Sequence, residues 1–175
     1  MLIVGIDENG LGPLLGPLLV TAAAFEAETY DKDAFWRIAA KRLAADDSKK
    51  IFSSGRLGKA EKATLAWLDA FGFRPSTYAE LVMSVCCRAP LPLPCENAVL
   101  KCCLPSTTRL PCFSDCADEC KNRDADDSFR CDGIKPVAVR SASICPGAFN
   151  LALEGEGLNK FKLDFLLMMR LAREL

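Results

Sequence analysis

Leu2-Ile3-Val4-Gly5-Ile6-Asp7-Glu8-Asn9-Gly10-Leu11-Gly12-Pro13-Leu14-Leu15-Gly16-Pro17-Leu18-Leu19-Val20 runs from an apolar stretch through two consecutive carboxylates and a glycine-rich turn into a second apolar stretch. Leu2 to Ile6 is short, partly β-branched and closed by turn residues, the pattern of a buried strand. Gly10, Gly12 and Gly16 give the backbone freedom and allow close approach to the main chain. Pro13 and Pro17 fix φ on the way back. Leu18 to Phe25 then reads as a second strand, so the unit is a core hairpin with acids at its mouth. Carboxylates at the end of a core strand cost desolvation energy unless a cation or hydrogen-bond donors compensate. Adjacent strand residues point to opposite faces, so Asp7 and Glu8 share a site only where Glu8 enters the bend. Spacing alone leaves two readings open: metal ligands, or an exposed acidic pair before a β-turn.

Composition narrows the chemistry. The chain has 175 residues, half of them hydrophobic, which is enough for one domain with a proper core and argues against disorder. Twenty-two basic and 23 acidic residues leave a net charge of −1, so any nucleic-acid binding must use a local patch. No histidine is present, which removes imidazole acid–base catalysis and Cys₂His₂ fingers. Hard oxygen ligands suit Mg²⁺ or Mn²⁺. Leu11 to Phe25 is uncharged, but it follows two acids where a signal peptide has a positive start, and it is too short and proline-broken to span a bilayer. The sequence is read as that of a soluble, cytoplasmic monomer without membrane contact.

Further along, Asp31 is a capping acid for a helix in which Phe35, Ile38, Ala39 and Leu43 recur at helical spacing, with Lys41 and Arg42 near its end. The charged loop Asp46-Asp47-Ser48-Lys49-Lys50 follows. By itself it reads as a solvated loop. A second helix is expected from Ser53 or Ser54, with Leu57, Leu65, Leu68 and Phe71 on one side and Gly72 as its stop. A short helix is expected from Ser76 towards Val85. Lys135 to Ile144 reads as a strand, Cys145-Pro146-Gly147 as a turn, and Gly155 to Gly157 as a break. Leu158, Phe161, Phe165, Met168, Ala172 and Leu175 then step by three and four, and Leu163, Leu166, Leu167 and Met169 widen the stripe, which predicts a buried helix.

Two motifs in order carry a resemblance. Gly5-Ile6-Asp7-Glu8-Asn9-Gly10-Leu11-Gly12-Pro13, with Gly16-Pro17, resembles the opening signature of the ribonuclease HII family. Asp47-Ser48-Lys49-Lys50 is similar to its second motif. The resemblance implies an α/β, ribonuclease H-like mixed sheet with flanking helices. It also implies an endonuclease that hydrolyses the RNA strand of an RNA/DNA hybrid, or of a duplex with an embedded ribonucleotide, by two-metal catalysis with Mg²⁺ or Mn²⁺. Asp7 and Glu8 would be catalytic metal ligands. Gly10, Leu11 and Gly12 would contact the ribose 2′-hydroxyl, and Lys49 and Lys50 would hold phosphate. The family usually has arginine where this chain has Leu11. It completes its site with aspartates beyond the last helix here, so the chain is expected to be truncated or degenerate. Neither Asp132 nor Asp164 is assigned from the sequence.

The same resemblance divides the chain into residues 1–85, an irregular Cys/Pro-rich insertion at 86–134, and a continuation at 135–175. Nine of the ten cysteines fall between Cys86 and Cys131. A structural Zn²⁺ on Cys112, Cys116 and Cys120 is one reading, although these recur every four residues and no Cys-x-x-Cys occurs. A disulfide framework and a set of reduced, small hydrophobic thiols are the others. The alternative function is a non-catalytic ribonuclease H-like module that binds nucleic acid or protein through this insertion.

Overall fold

The computed structural model describes residues 1–9, 17–43, 57–87, 107–113, 133–155 and 157–175. Among these residues the chain forms β1 (Leu2–Glu8), β2 (Leu18–Ala27), α1 (Lys32–Leu43), α2 (Leu57–Ala70), α3 (Tyr78–Val85), β3 (Ile134–Ile144), α4 (Pro146–Gly155) and α5 (Lys160–Glu174). This is an α/β architecture. The three strands lie in the order β1-β2-β3, and Cys86 adds an isolated parallel bridge to Ser141. No helix among the described residues is long and apolar enough to cross a membrane.

Strand order explains which half of the hairpin is buried. In central β2, Val20, Ala22 and Ala24 are fully buried, because side chains two apart share one covered face. The expectation of an equally buried first strand needs correction. Among the described residues β1 is at the edge of the sheet, and Leu2 and Val4 are 52% and 40% exposed.

The chain packs as two units. The first comprises Met1–Ile3, Phe25–Ser84 and Ser106–Val137. Its centre is aromatic: Phe25 meets Phe35, Trp67 and Phe71 at ring-centroid distances of 5.2, 5.7 and 5.2 Å. The first two contacts are edge-on, the arrangement that ring quadrupoles favour. Its helix ends are closed by local hydrogen bonds. The Asp31 carboxylate accepts the Asp33 and Ala34 amides at the start of α1, as its sequence position predicts. Gly72 ends α2 at φ +82°, with the Phe73 amide donating to the Leu68 carbonyl at 2.8 Å; this six-to-one bond and the left-handed glycine make a Schellman stop. At α3 the Thr77 hydroxyl accepts the Glu80 amide, and the Glu80 carboxylate accepts the Ser76 amide and hydroxyl. That reciprocal arrangement is a capping box.

Residues 107–113 of the cysteine-rich segment are built into this unit. Thr77 and Arg109 form an antiparallel bridge, and the Leu110 amide donates to the Ser76 carbonyl. The Glu61 carboxylate accepts the amides of Cys112 and Phe113.

The second unit comprises Val4–Ala24, Val85–Pro105 and Ala138–Leu175. Its core joins Leu18, Val20 and Ala22 to Ala142, Ile144, Ala148, Ala152, Leu163, Leu167 and Leu171, with Ile6 packed against them. Two expectations are corrected here. The sequence Cys145-Pro146-Gly147 does not simply turn the chain, because Pro146 opens α4. Proline suits the first helical position, where its missing N–H has no helical partner to lose. Cys145 caps the helix, its sulfur accepting the Ala148 amide at 3.4 Å and its carbonyl the Phe149 amide at 2.9 Å.

The last helix, α5, is capped by Asn159, whose side chain accepts the Lys162 amide at 2.9 Å. It is buried only along Leu163, Asp164, Leu167 and Leu171. Phe161 and Phe165 remain 71% and 62% exposed. A nearly all-apolar circumference predicted burial all round, but one packed layer covers only one stripe of a helix.

Candidate active site at the end of the first strand

The strand that carries the acids continues through Glu8, so Asp7 and Glu8 alternate across it. Asp7 is exposed and Glu8 half-buried. The Asp7 carboxylate accepts the amide of Glu8 at 3.0 Å. Next to them, Asn9 fastens the hairpin mouth. Its amide donates to the Leu19 carbonyl at 2.9 Å, its side-chain oxygen accepts the Leu19 amide at 2.9 Å, and its side-chain nitrogen donates to the Pro17 carbonyl at 3.1 Å. Asparagine can do this because one side chain both donates and accepts. Sequence reading had placed Asn9 within the motif without a role. The structure shows it holding the two strands together at the end of β1.

The second unit contains a group that sequence reading left unassigned. Asp164, on the packed stripe of α5, is only 7% exposed, and its Oδ1 has no hydrogen-bond partner. Burial, and then the negative charge of Asp7, push its carboxyl above the usual range. The only sequence signal was an acid at a core position of an otherwise apolar stripe, and such residues are rarely buried unless paired.

Among the described residues, no group of three or more His, Cys, Asp or Glu could hold a metal ion. Asp7, with an exposed carboxylate, is a hard oxygen donor of the kind that suits Mg²⁺, which often takes one or two carboxylates and fills its remaining positions with water or substrate oxygens.

The other expected site residues, Gly10, Leu11, Gly12, Lys49 and Lys50, lie outside the described residues, as do Cys116 and Cys120 of the zinc reading. Cys112 is described and exposed, and its thiol donates to the Arg109 carbonyl at 3.3 Å. Cys86, Cys87, Cys112 and Cys145 form no disulfide. Cys87 belongs to a small polar cluster: burial and its bond to Glu174 push its thiol up to about 11. Glu174 is lowered, first by that thiol and then by Arg170, which donates to it at 3.0 Å. A thiol held protonated in this way is a hydrogen-bond donor and not a nucleophile.

Comparison with known proteins gives a partial likeness. No protein-family model matches the chain, and no solved structure matches it. The chain is 41% identical over 56 residues to Ribonuclease HII of Methanocaldococcus jannaschii. The matched stretch covers 32% of this chain and 21% of that relative.

Proposed function

We propose that this chain carries part of a ribonuclease HII-like endonuclease site, acting on the RNA strand of RNA/DNA hybrids or on duplexes with an embedded ribonucleotide. The 41% identity to a ribonuclease HII over 56 residues carries this reading. The geometry at the end of β1 supports it, because a pair of acids there stands next to Asn9, which clips the strand to Pro17 and Leu19.

In this reading Asp7 would hold Mg²⁺ or Mn²⁺, and Glu8, which alternates to the other face of β1, would join it when metal binding draws the strand end into the bend. When bound, the metal would supply an activated water and charge stabilisation for the departing 3′-oxygen in phosphodiester hydrolysis. Asp7, exposed and already oriented by the Glu8 amide, presents its free oxygen to solvent and substrate. Gly10, Leu11 and Gly12 offer backbone groups to the 2′-hydroxyl that distinguishes RNA from DNA. Lys49 and Lys50 grip the flanking phosphates as point charges.

The test is cleavage of a duplex carrying one ribonucleotide, in Mn²⁺. Cleavage on the ribonucleotide that falls at least a hundredfold in Asp7→Asn is the expected result. Cleavage that survives Asp7→Asn unchanged, or no cleavage under any metal, overturns the proposal.

A further inference from the structure

We infer that Thr21 is a positioning residue for Asp7: its hydroxyl, supported from behind by Ser141, donates to the Asp7 carboxylate directly or through one water and fixes how that carboxylate faces a cation. The inference rests on the reading of Asp7 as a cation ligand and adds two residues to which neither the motif nor the likeness gives a role.

Three observations carry it. The first is register. At one end of the β1–β2 ladder the Met1 ammonium donates to the Ala27 carbonyl at 2.7 Å, and the Ala27 amide donates to the Met1 carbonyl at 2.9 Å. At the other end the Asn9 amide donates to the Leu19 carbonyl at 2.9 Å. Stepping six residues inward from the first pair, or two from the second, reaches the same partners, Asp7 and Thr21. Residues directly opposed in an antiparallel pair share one face, with Cβ atoms about 4.5–5.5 Å apart. Ile6 and Ala22, the preceding pair, face the aliphatic core, so Asp7 and Thr21 stand on the other side of the sheet.

Second, the polar row continues onto β3. The Ser141 hydroxyl lies 2.9 Å from that of Thr21. Its neighbour Ala142 belongs to the aliphatic core, which puts Ser141 on the same side as Thr21 and Asp7. Third, the protons of this row have only one satisfactory arrangement. Each hydroxyl carries one proton, and one of the two lies in the bond between them. Ser141 is 4% exposed and has no other side-chain partner among the described residues. With Thr21 as the donor, the Ser141 proton would be buried without an acceptor, a costly state. Ser141 therefore donates and Thr21 accepts, which leaves the proton of half-buried Thr21 to be given outward. The exposed carboxylate opposite it is an acceptor within reach of a hydroxyl or one bridging water. Hydrogen bonds of this kind orient carboxylates that ligate metals.

The experiment uses the full chain and begins without metal or nucleic acid. The Glu8 amide reports the Asp7 carboxylate, because it donates to Oδ1 at 3.0 Å. Its hydrogen exchange should speed at least fivefold in Thr21→Val, which removes the hydroxyl and keeps the branched shape, and stay native in Thr21→Ser, which restores it. The Asn9 amide, bonded to the Leu19 carbonyl, controls for opening of the strand and should exchange as in native protein. Thr21→Ala is a second hydroxyl-free variant held to the same outcomes. With Mn²⁺ counted by electron paramagnetic resonance, Thr21→Val should bind about tenfold more weakly than native protein, and Thr21→Ser should match it. If Asp7→Asn loses Mn²⁺ while the hydroxyl-free variants keep native affinity and native Glu8 exchange, the inference falls and the reading of Asp7 stands. If Thr21→Ser behaves as Thr21→Val does, Thr21 acts through packing and the inference falls. If native protein binds no Mn²⁺, both fall.

Discussion

The two packing units treat their polar groups differently. In the first, acids are used to close backbone ends: Asp31 caps α1, Glu80 completes a capping box at α3, and Glu61 collects the amides of Cys112 and Phe113. In the second, the core is aliphatic, and among the described residues Asp164 is left with a buried, unpartnered oxygen. The acids of the first unit are accounted for by the backbone amides that they satisfy, whereas the fold supplies no such partner for the buried Asp164 oxygen.

The largest effect that could break this comparison lies within α5. Leu163 and Leu167 are closed from solvent, so Leu167→Ala should cost about 2–5 kcal/mol of unfolding free energy, the range for truncating a buried leucine. Phe161→Ala, on the exposed face, should stay within about 0.5 kcal/mol. Urea unfolding of both variants is the check. Equal costs would mean that the exposed face is packed in solution.

Next come the closing acids. Thr77→Ala removes the hydroxyl that accepts the Glu80 amide and should cost about 1 kcal/mol, as an N-cap loss does. Glu61→Gln should leave global stability nearly unchanged but speed hydrogen exchange at the Cys112 and Phe113 amides, because a neutral amide is a weaker acceptor than a carboxylate. Unaltered exchange at those two positions would remove Glu61 from the set of structural acids.

The smallest effect is a pH dependence. The Cys87 thiol is raised from 9.0 to about 11 in the folded chain. Below pH 9 the thiol is protonated in both states and its contribution is complete. Between pH 9 and about 11 the unfolded chain releases its proton while the folded chain retains it, so stability should fall across that window. Cys87→Ala should lose less stability than native protein between the same two pH values. Identical slopes would place Cys87 in solvent.

Much of the fold was legible from local chemistry. The β1 and β2 strands, the Asp31 cap, the Gly72 stop and the β3 span all follow from side-chain pattern and backbone preference within a few residues. The α4 helix was misread because proline and glycine in sequence signal a turn. Only the local geometry, with Cys145 capping and Pro146 in the first helical position, shows a helix start. At the site, Asp7 and Glu8 could be singled out from sequence because they interrupt an apolar run before a glycine turn. Asp164 could not, because its significance depends on which face of α5 is packed and on what lies across from it.

By itself, then, the sequence determined that an acidic pair stands at the end of a strand and that the last helix is apolar on nearly every side. Tertiary structure decided that β1 is an edge strand among the described residues, that only the Leu163–Leu167–Leu171 stripe of α5 is buried, and that an aspartate within that stripe keeps an oxygen without a partner. The physical reason is range. Capping, turns and periodicity act between residues close in sequence. The loneliness of a buried oxygen is a property of everything packed around it, and the core around Asp164 includes strand residues such as Leu18 and Val20 from the far end of the chain.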